Sequence, residues 1–151
     1  MRLASKEDIQ ELSQLRIKQQ KDDCQEDYED KYNLLQRTIE YLEIHLNKDL
    51  YIFIEECENS IVATCGLQII EYLPQCSDNG KEGYICNVYT KNAYRCRGIQ
   101  TALLNEVIEF SKNKNISELT LSSDNEKAIS IYKKAGVGFD DLRMNFKLWK
   151  L

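Results

Sequence analysis

The spacing of apolar residues changes several times along the chain, and each change marks an element. Ile9, Leu12 and Leu15 recur at helical spacing with Ile17 beside them, which predicts a first helix to about residue 20. Ser5 stands ahead of this stripe as an N-cap, with Asp8 three residues on as an acidic capping-box partner. Residues 1–4 before it form a short strand. A second stripe, Leu34, Leu35, Ile39, Leu42 and Leu46, predicts a second helix. The pattern then turns to β-branched and aromatic runs. Residues 50–55 and 61–72 read as strands joined by a turn at Glu58-Asn59. Residues 73–80 hold the only proline, Pro74, and the turn signal Asp78-Asn79-Gly80. Residues 83–90, GYICNVYT, read as the next strand.

Ile99, Leu103, Val107 and Phe110, with Ala102 and Ile108 beside them, give the best-patterned helix, ending near residue 113. Residues 117–122 alternate as a short buried strand. Residues 125–135 form a helix that stops at Gly136, a natural C′ residue. Residues 142–148 alternate again and close the sheet. Three consecutive strands favour antiparallel pairing, and the strand–helix–strand units after residue 83 favour a parallel neighbour. The expectation is an α/β fold: a mixed, mostly antiparallel central sheet with helices on both faces. A chain of 151 residues fits one domain, residues 1–151. No repeat, linker or low-complexity segment interrupts it.

The net charge is −5, which argues against a nucleic-acid partner. The acid is concentrated in residues 21–31, KDDCQEDYEDK. A solvated helix end or loop accounts for it; an acidic rim that draws in a cationic amine is the sharper alternative. No apolar run approaches the ~20 residues that span a bilayer. The start, MRLASKEDIQEL, has no apolar signal region, so the expected location is the cytoplasm. Cys24, Cys57, Cys65, Cys76, Cys86 and Cys96 include no C-x-x-C pair. A zinc or thioredoxin-type site is therefore not expected, nor any other metal. Those in strand-like runs read as small hydrophobes. The single histidine, His45, sits within a helical pattern and reads as a surface or packing residue.

The chemistry concentrates in residues 94–104, YRCRGIQTALL. A strand feeds two arginines and a glycine, and a long helix follows. Backbone N–H groups at Arg97, Gly98, Ile99, Gln100 and Thr101 stand at a helix start, where they suit a phosphate. Gly98 permits a tight turn, and Arg95 and Arg97 add charge. Taken alone, this stretch reads more readily as a basic surface turn, since many such turns look like it.

Arg95-Cys96-Arg97-Gly98-Ile99-Gln100 resembles the pyrophosphate loop Q/R-x-x-G-x-G/A of the GCN5-related N-acetyltransferase (GNAT) family, matching its first five positions. The preceding NVYT and following TALL are also similar. DNEKAISIYKKAG resembles the family's second signature, N-x-x-A-x-x-x-Y, through Asn125, Ala128 and Tyr132. The element order agrees, so the resemblance covers nearly the whole chain. There are departures. Gln100 stands where the family has Gly or Ala, and its side chain either crowds the phosphates or points away. Cys96 stands where glycine is frequent and Asn92 where proline is frequent. The family's Gly-Phe is replaced by AGVGF, residues 135–139.

The resemblance implies the GNAT acyl-CoA acyltransferase fold and acetyl-CoA as co-substrate, with no metal. It implies a cofactor site at Val88, Tyr89, Thr90, Arg95, Cys96, Arg97, Gly98, Ile99, Gln100, Thr101, Asn125 and Ala128. Two strands splay in this family, and the pantetheine arm pairs with the segment equivalent to residues 88–90. Tyr132 is implied as the general acid that protonates the leaving thiolate. Its phenol, with an ordinary pKa near 10, carries a proton at neutral pH. Packing onto the sheet is the competing role for Tyr132, and helix N-capping is the competing role for Asn125. The general base stays open among Glu55, Glu71, Glu82 and Tyr89. The expected reaction is acetyl transfer to a primary amine of a small-molecule acceptor, cationic if the acid-rich segment shapes the acceptor site. The alternative is a non-catalytic acyl-CoA sensor or interaction module. Homodimers are common on this architecture, but no residue pattern names an interface.

Overall fold

The computed structural model describes residues 1–23, 33–74, 76, 79–123 and 125–138. Strand β1 (Arg2–Leu3) leads through a 3-10 turn (Lys6–Asp8) into helix α1 (Ile9–Asp23). The turn is closed by the expected capping box, in which the Ser5 N–H donates to Asp8 Oδ2 at 2.6 Å. Helix α2 (Leu34–His45) follows, then strands β2 (Leu50–Cys57), β3 (Ser60–Glu71) and β4 (Lys81–Thr90). A 3-10 turn (Asn92–Tyr94) precedes helix α3 (Ile99–Asn113), strand β5 (Glu118–Thr120) and helix α4 (Glu126–Lys134). Strand order follows chain order. The first three pairings are antiparallel, and β4 pairs with β5 in parallel across the α3 crossover.

Strand alternation divides the core between two faces. On β2, Ile52 and Ile54 turn to one face and pack with Ile9, Leu12 and Leu15 of α1 and Leu42 of α2. Phe53 turns to the other and joins Leu67, Ile85 and the α3 residues Leu103, Leu104 and Val107. Helices therefore cover both faces, as the apolar stripes predict. Each fully buried Leu or Ile contributes about 1.5–3 kcal/mol.

Two irregularities shape the region near the end of β4. The register with β3 runs Ala63↔Thr90 and Thr64↔Tyr89, then shifts to Gly66↔Cys86. β4 thus carries one more residue than β3 there. Asn87 takes up the bulge with φ 48, and Thr64 Oγ1 donates to its carbonyl at 2.7 Å. As a result Cys86 and Tyr89 both face α1 and α2, while Ile85 and Val88 both face α3. Gly66 admits this close passage, because a Cβ there would lie 2.9 Å from the Cys86 carbonyl oxygen. The second irregularity is the shortness of β5, which pairs with β4 only at Glu82↔Glu118, Gly83↔Leu119 and Tyr84↔Thr120. Beyond those pairs the two chains part.

The splay explains why β5 is shorter than the alternation of residues 117–122 predicts. Helix α1 is longer than predicted and reaches Asp23. The expected strand at 142–148, the acidic residues 24–31, Asp78 and Phe139 lie outside the described residues. Among the described residues no helix is long and apolar enough to cross a membrane. Cys57, Cys65, Cys76, Cys86 and Cys96 are free thiols.

Candidate active site

A cavity of about 640 Å³ opens where β4 and β5 part. Val88, Tyr89 and Thr90 of β4 form its floor. Arg95, Cys96, Arg97 and Gly98 form one rim, continuous with Ile99, Gln100 and Thr101 in the first turn of α3. Asn125 and Ala128, with Ile131 beside them, form the α4 wall. The chain thus brings together all twelve residues expected at a cofactor site.

The α3 end of this cavity offers donors and positive charge that can take an anion. Gly98 is the N-cap residue with φ 75, and no side chain caps the helix. The first intrahelical bond, Ala102 N–H to Gly98 O, is 3.1 Å. The N–H groups of Ile99, Gln100 and Thr101 precede it and have no acceptor within the helix. They sit at the positive end of the α3 dipole, next to the two arginines. A Cβ at Gly98 would meet nothing within 4 Å, so glycine is needed here for its left-handed backbone. Cys96 adopts φ 61 without that freedom, a conformation that costs an L-residue about 1–2 kcal/mol. Arg97 lies over the Tyr94 ring at 5.3 Å and Arg95 over the Tyr89 ring at 6.0 Å.

Side chains from four elements take the carbonyls of the last four residues of β4. Besides Thr64 at Asn87, Gln19 Nε2 donates to Val88 O at 3.2 Å and Gln100 Nε2 to Tyr89 O at 2.7 Å. Arg95 Nε donates to Thr90 O at 2.9 Å. Gln100 therefore points into the β3–β4 junction and not across the turn at Arg95–Gly98.

The opposite wall comes from α1, where Gln19 and Asp22 line the cavity. Asp22 Oδ2 accepts from the Tyr89 hydroxyl at 2.7 Å and lies 3.9 Å from an Arg95 amino group. Gln19 is absent from the sequence-based site, and Asp22 appears there only as part of an acidic run. A signal was present. Leu12, Leu15, Gln19 and Asp22 continue one helical stripe, so two polar residues occupy positions where the earlier turns bury leucine. Asn92 and Tyr94 also line the cavity, through the short 3-10 turn that the sequence pattern does not reveal.

The sequence profile described as the Acetyltransferase (GNAT) family matches residues 10–139. The chain belongs to the GNAT acetyltransferase family. No curated protein matches it significantly. A crystal structure with acetyl-CoA of a protein described as a predicted acetyltransferase, from Clostridium acetobutylicum, is similar at 29% identity. The match covers 97% of this chain and 94% of that one, with a TM-score of 0.86. A GCN5-related N-acetyltransferase from Ralstonia eutropha JMP134 shares the fold at 22% identity and TM-score 0.79, over 97% and 96% of the two chains. An aminoglycoside acetyltransferase from an uncultured soil sample, solved with sisomicin, shares it at 15% identity and TM-score 0.72, over 98% and 95%.

Within this GNAT domain the second signature falls on α4. Asn125 Oδ1 accepts from the Ala128 N–H at 3.1 Å, so Asn125 caps the helix while it lines the cavity. Gly136, with φ 94, closes the other end: its N–H donates to Lys133 O and that of Val137 to Tyr132 O, both at 3.0 Å. Tyr132 is 7% exposed and belongs to the α3-side core. It lines a neighbouring cavity of about 40 Å³, together with Cys65, Gln100 and Leu104, and not the larger one. Val88, Gln100, Ala128 and Ile131 line both. Burial, with Cys65 nearby, pushes the Tyr132 phenol up to about 12.

Of the base candidates, only Tyr89 reaches the cavity. Glu55 pairs with the N-terminal ammonium at 3.1 Å, and Glu71 lies 3.8 Å from Lys81. Glu82 accepts from the Thr120 hydroxyl, at the paired end of β4. His45 stacks on Tyr41 and bonds Asp49 through Nδ1 at 2.9 Å, which makes it a helix-surface residue.

Proposed function

We propose that the chain, as one domain over residues 1–151, is an acetyl-CoA-dependent N-acetyltransferase acting on a primary amine of a cationic small-molecule acceptor. The observation that carries this reading is the single cavity that joins the uncapped start of α3, both arginines, the end of β4 beyond its pairing with β5, and the α4 wall. Open N–H groups and arginines suit a pyrophosphate. An extended strand that has left its β5 neighbour suits an amide-bearing arm. The similar Clostridium acetobutylicum protein, solved with acetyl-CoA, adds support. A cytoplasmic location, expected from the sequence, is part of this reading.

Acetyl-CoA, when bound, supplies the thioester. The amine nitrogen bonds to its carbonyl carbon as the C–S bond breaks, and the amine proton passes to a base or water. Backbone N–H groups of residues 88–90 polarise the carbonyl. Tyr132 gives its proton to the leaving sulfur, and its raised pKa keeps that proton in place at neutral pH. Asp22 attracts the positive charge of the acceptor from the α1 wall, and Tyr89, whose hydroxyl donates to Asp22, is the candidate relay: it takes the amine proton as its own passes to the Asp22 carboxylate.

One observation favours the non-catalytic alternative, an acyl-CoA sensor. Tyr132 is packed against the smaller cavity and not exposed in the larger one. A free-thiol assay with acetyl-CoA and a panel of amines, polyamines, amino acids and peptides separates the readings. Thiol release that depends on a cationic amine is expected. Saturable acetyl-CoA binding without release from any acceptor favours the sensor, and no binding rejects both.

A further inference from the structure

The bulge at Asn87 and the loss of β5 leave the end of β4 with an incomplete ladder. Gln100 Nε2 lies among three oxygens: Thr64 O at 3.0 Å, Tyr89 O at 2.7 Å and Thr90 Oγ1 at 2.9 Å. A primary amide has two N–H groups, so both are engaged and one is shared. One side chain in the first turn of α3 therefore ties together β3, β4 and the helix whose N-terminus forms the anion site. It also walls both cavities.

We propose that Gln100 is a positioning residue, whose amide donors hold the Thr64–Tyr89–Thr90 junction so that residues 88–90 and the start of α3 are set together to receive acetyl-CoA. This rests on the reading of the cavity as an acetyl-CoA site. The required property is donation. Every contact is to an oxygen, so a side chain of similar length without a donor fills the space and loses the function. A carboxylate repels the two carbonyl oxygens and can only accept from the Thr90 hydroxyl, but its protonated form regains one O–H donor.

Three variants test this: Gln100→Met, Gln100→Ala and Gln100→Glu. Each is compared with the intact wild-type chain by thermal melting and by calorimetric titration of acetyl-CoA, at pH 8 and pH 5. Loss of the amide donors, which add to the Thr64–Tyr89 ladder pair, lowers Tm by a few degrees in Gln100→Met and Gln100→Ala at both pH values. Both bind acetyl-CoA about tenfold more weakly. Gln100→Glu is weakest at pH 8 and recovers most of its Tm and affinity at pH 5. Its carboxyl, desolvated and facing acceptors, takes up a proton in that range.

The titratable and charged groups around position 100 are Cys65 of β3, Tyr89 of β4, Tyr132 of α4, Arg95 of the loop and Asp22 of α1. Cys65 and Tyr132 are both pushed up to about 12, so they stay protonated throughout. The wild type at each pH removes the contributions of the others. Acid recovery in Gln100→Glu but not in Gln100→Met is the expected signature. Equal or tighter binding by Gln100→Ala, or a Gln100→Glu difference that does not change with pH, overturns the proposal. If the wild type binds no acetyl-CoA, the cofactor reading fails, while the melting comparison still decides whether Gln100 holds the junction.

Discussion

The two walls of the cavity are built in opposite ways. The loop wall, Arg95 to Thr101, offers backbone N–H groups, a helix dipole and two arginines. The α1 wall offers side chains alone, Gln19 and Asp22, with a carboxylate as its charge. The first suits the anionic end of one substrate, and the second suits a cationic end of another. Arg95 and Asp22 lie 3.9 Å apart, so the two fields meet near Tyr89, where an acyl group and an amine would have to meet. This contrast is what the proposed pair of substrates, one anionic and one cationic, would use. A site for a single anion would need only the first wall.

The largest expected effect breaks the chemistry and leaves both walls intact. Tyr132→Phe lowers turnover by ~10²–10⁴-fold and leaves acetyl-CoA affinity within about threefold. Calorimetry beside a thiol assay measures the split, and unchanged turnover makes Tyr132 a packing residue. Its pH dependence has a definite sign. The phenol is pushed from 10 to about 12, so the acid keeps its proton and its contribution as pH rises from 8 to 10. A rate loss in the wild type centred below pH 10, absent from Tyr132→Phe, contradicts that.

Next, Gly98→Val attacks the loop wall by forcing a β-branched residue to φ 75. Strain of ~1–2 kcal/mol corresponds to roughly tenfold weaker acetyl-CoA binding or more. The KM of the amine should be unaffected. Asp22→Asn attacks the α1 wall, keeping an oxygen for the Tyr89 hydroxyl and removing the charge. KM for a dicationic amine rises about tenfold, as expected for losing a partly screened ion pair, while acetyl-CoA affinity holds. Equal KM changes for cationic and neutral amines dissolve the charge contrast between the walls. The smallest effect comes from Cys96→Gly, which relieves the backbone at φ 61. It raises Tm by about 2 °C and leaves the KM of the amine unchanged.

The two walls also differ in how far the sequence reveals them. The loop wall is contiguous, and its backbone function depends on a strand, a glycine and a helix start in fixed order. That order is visible in YRCRGIQTALL, and all of its expected members line the cavity. The α1 wall exists only after folding. Gln19 and Asp22 show themselves merely as polar residues at core positions of a helix, Gln19 at its predicted end and Asp22 just beyond it. Gln100 is ambiguous in the sequence for a similar reason: its amide donates to the carbonyls of Thr64 and Tyr89, which become its neighbours only on folding. The mixed sheet was legible because strand and helix periods differ. The splay was less so, since alternation in residues 117–122 continues past the point where pairing stops.

The most direct measurement titrates acetyl-CoA into the intact wild-type chain by calorimetry, with Gly98→Val in parallel. Saturable one-to-one binding with Kd below about 1 mM, weakened at least tenfold in Gly98→Val, is the predicted result. Absence of binding up to millimolar acetyl-CoA, or equal binding by Gly98→Val, would contradict the account of this cavity as an acetyl-CoA site.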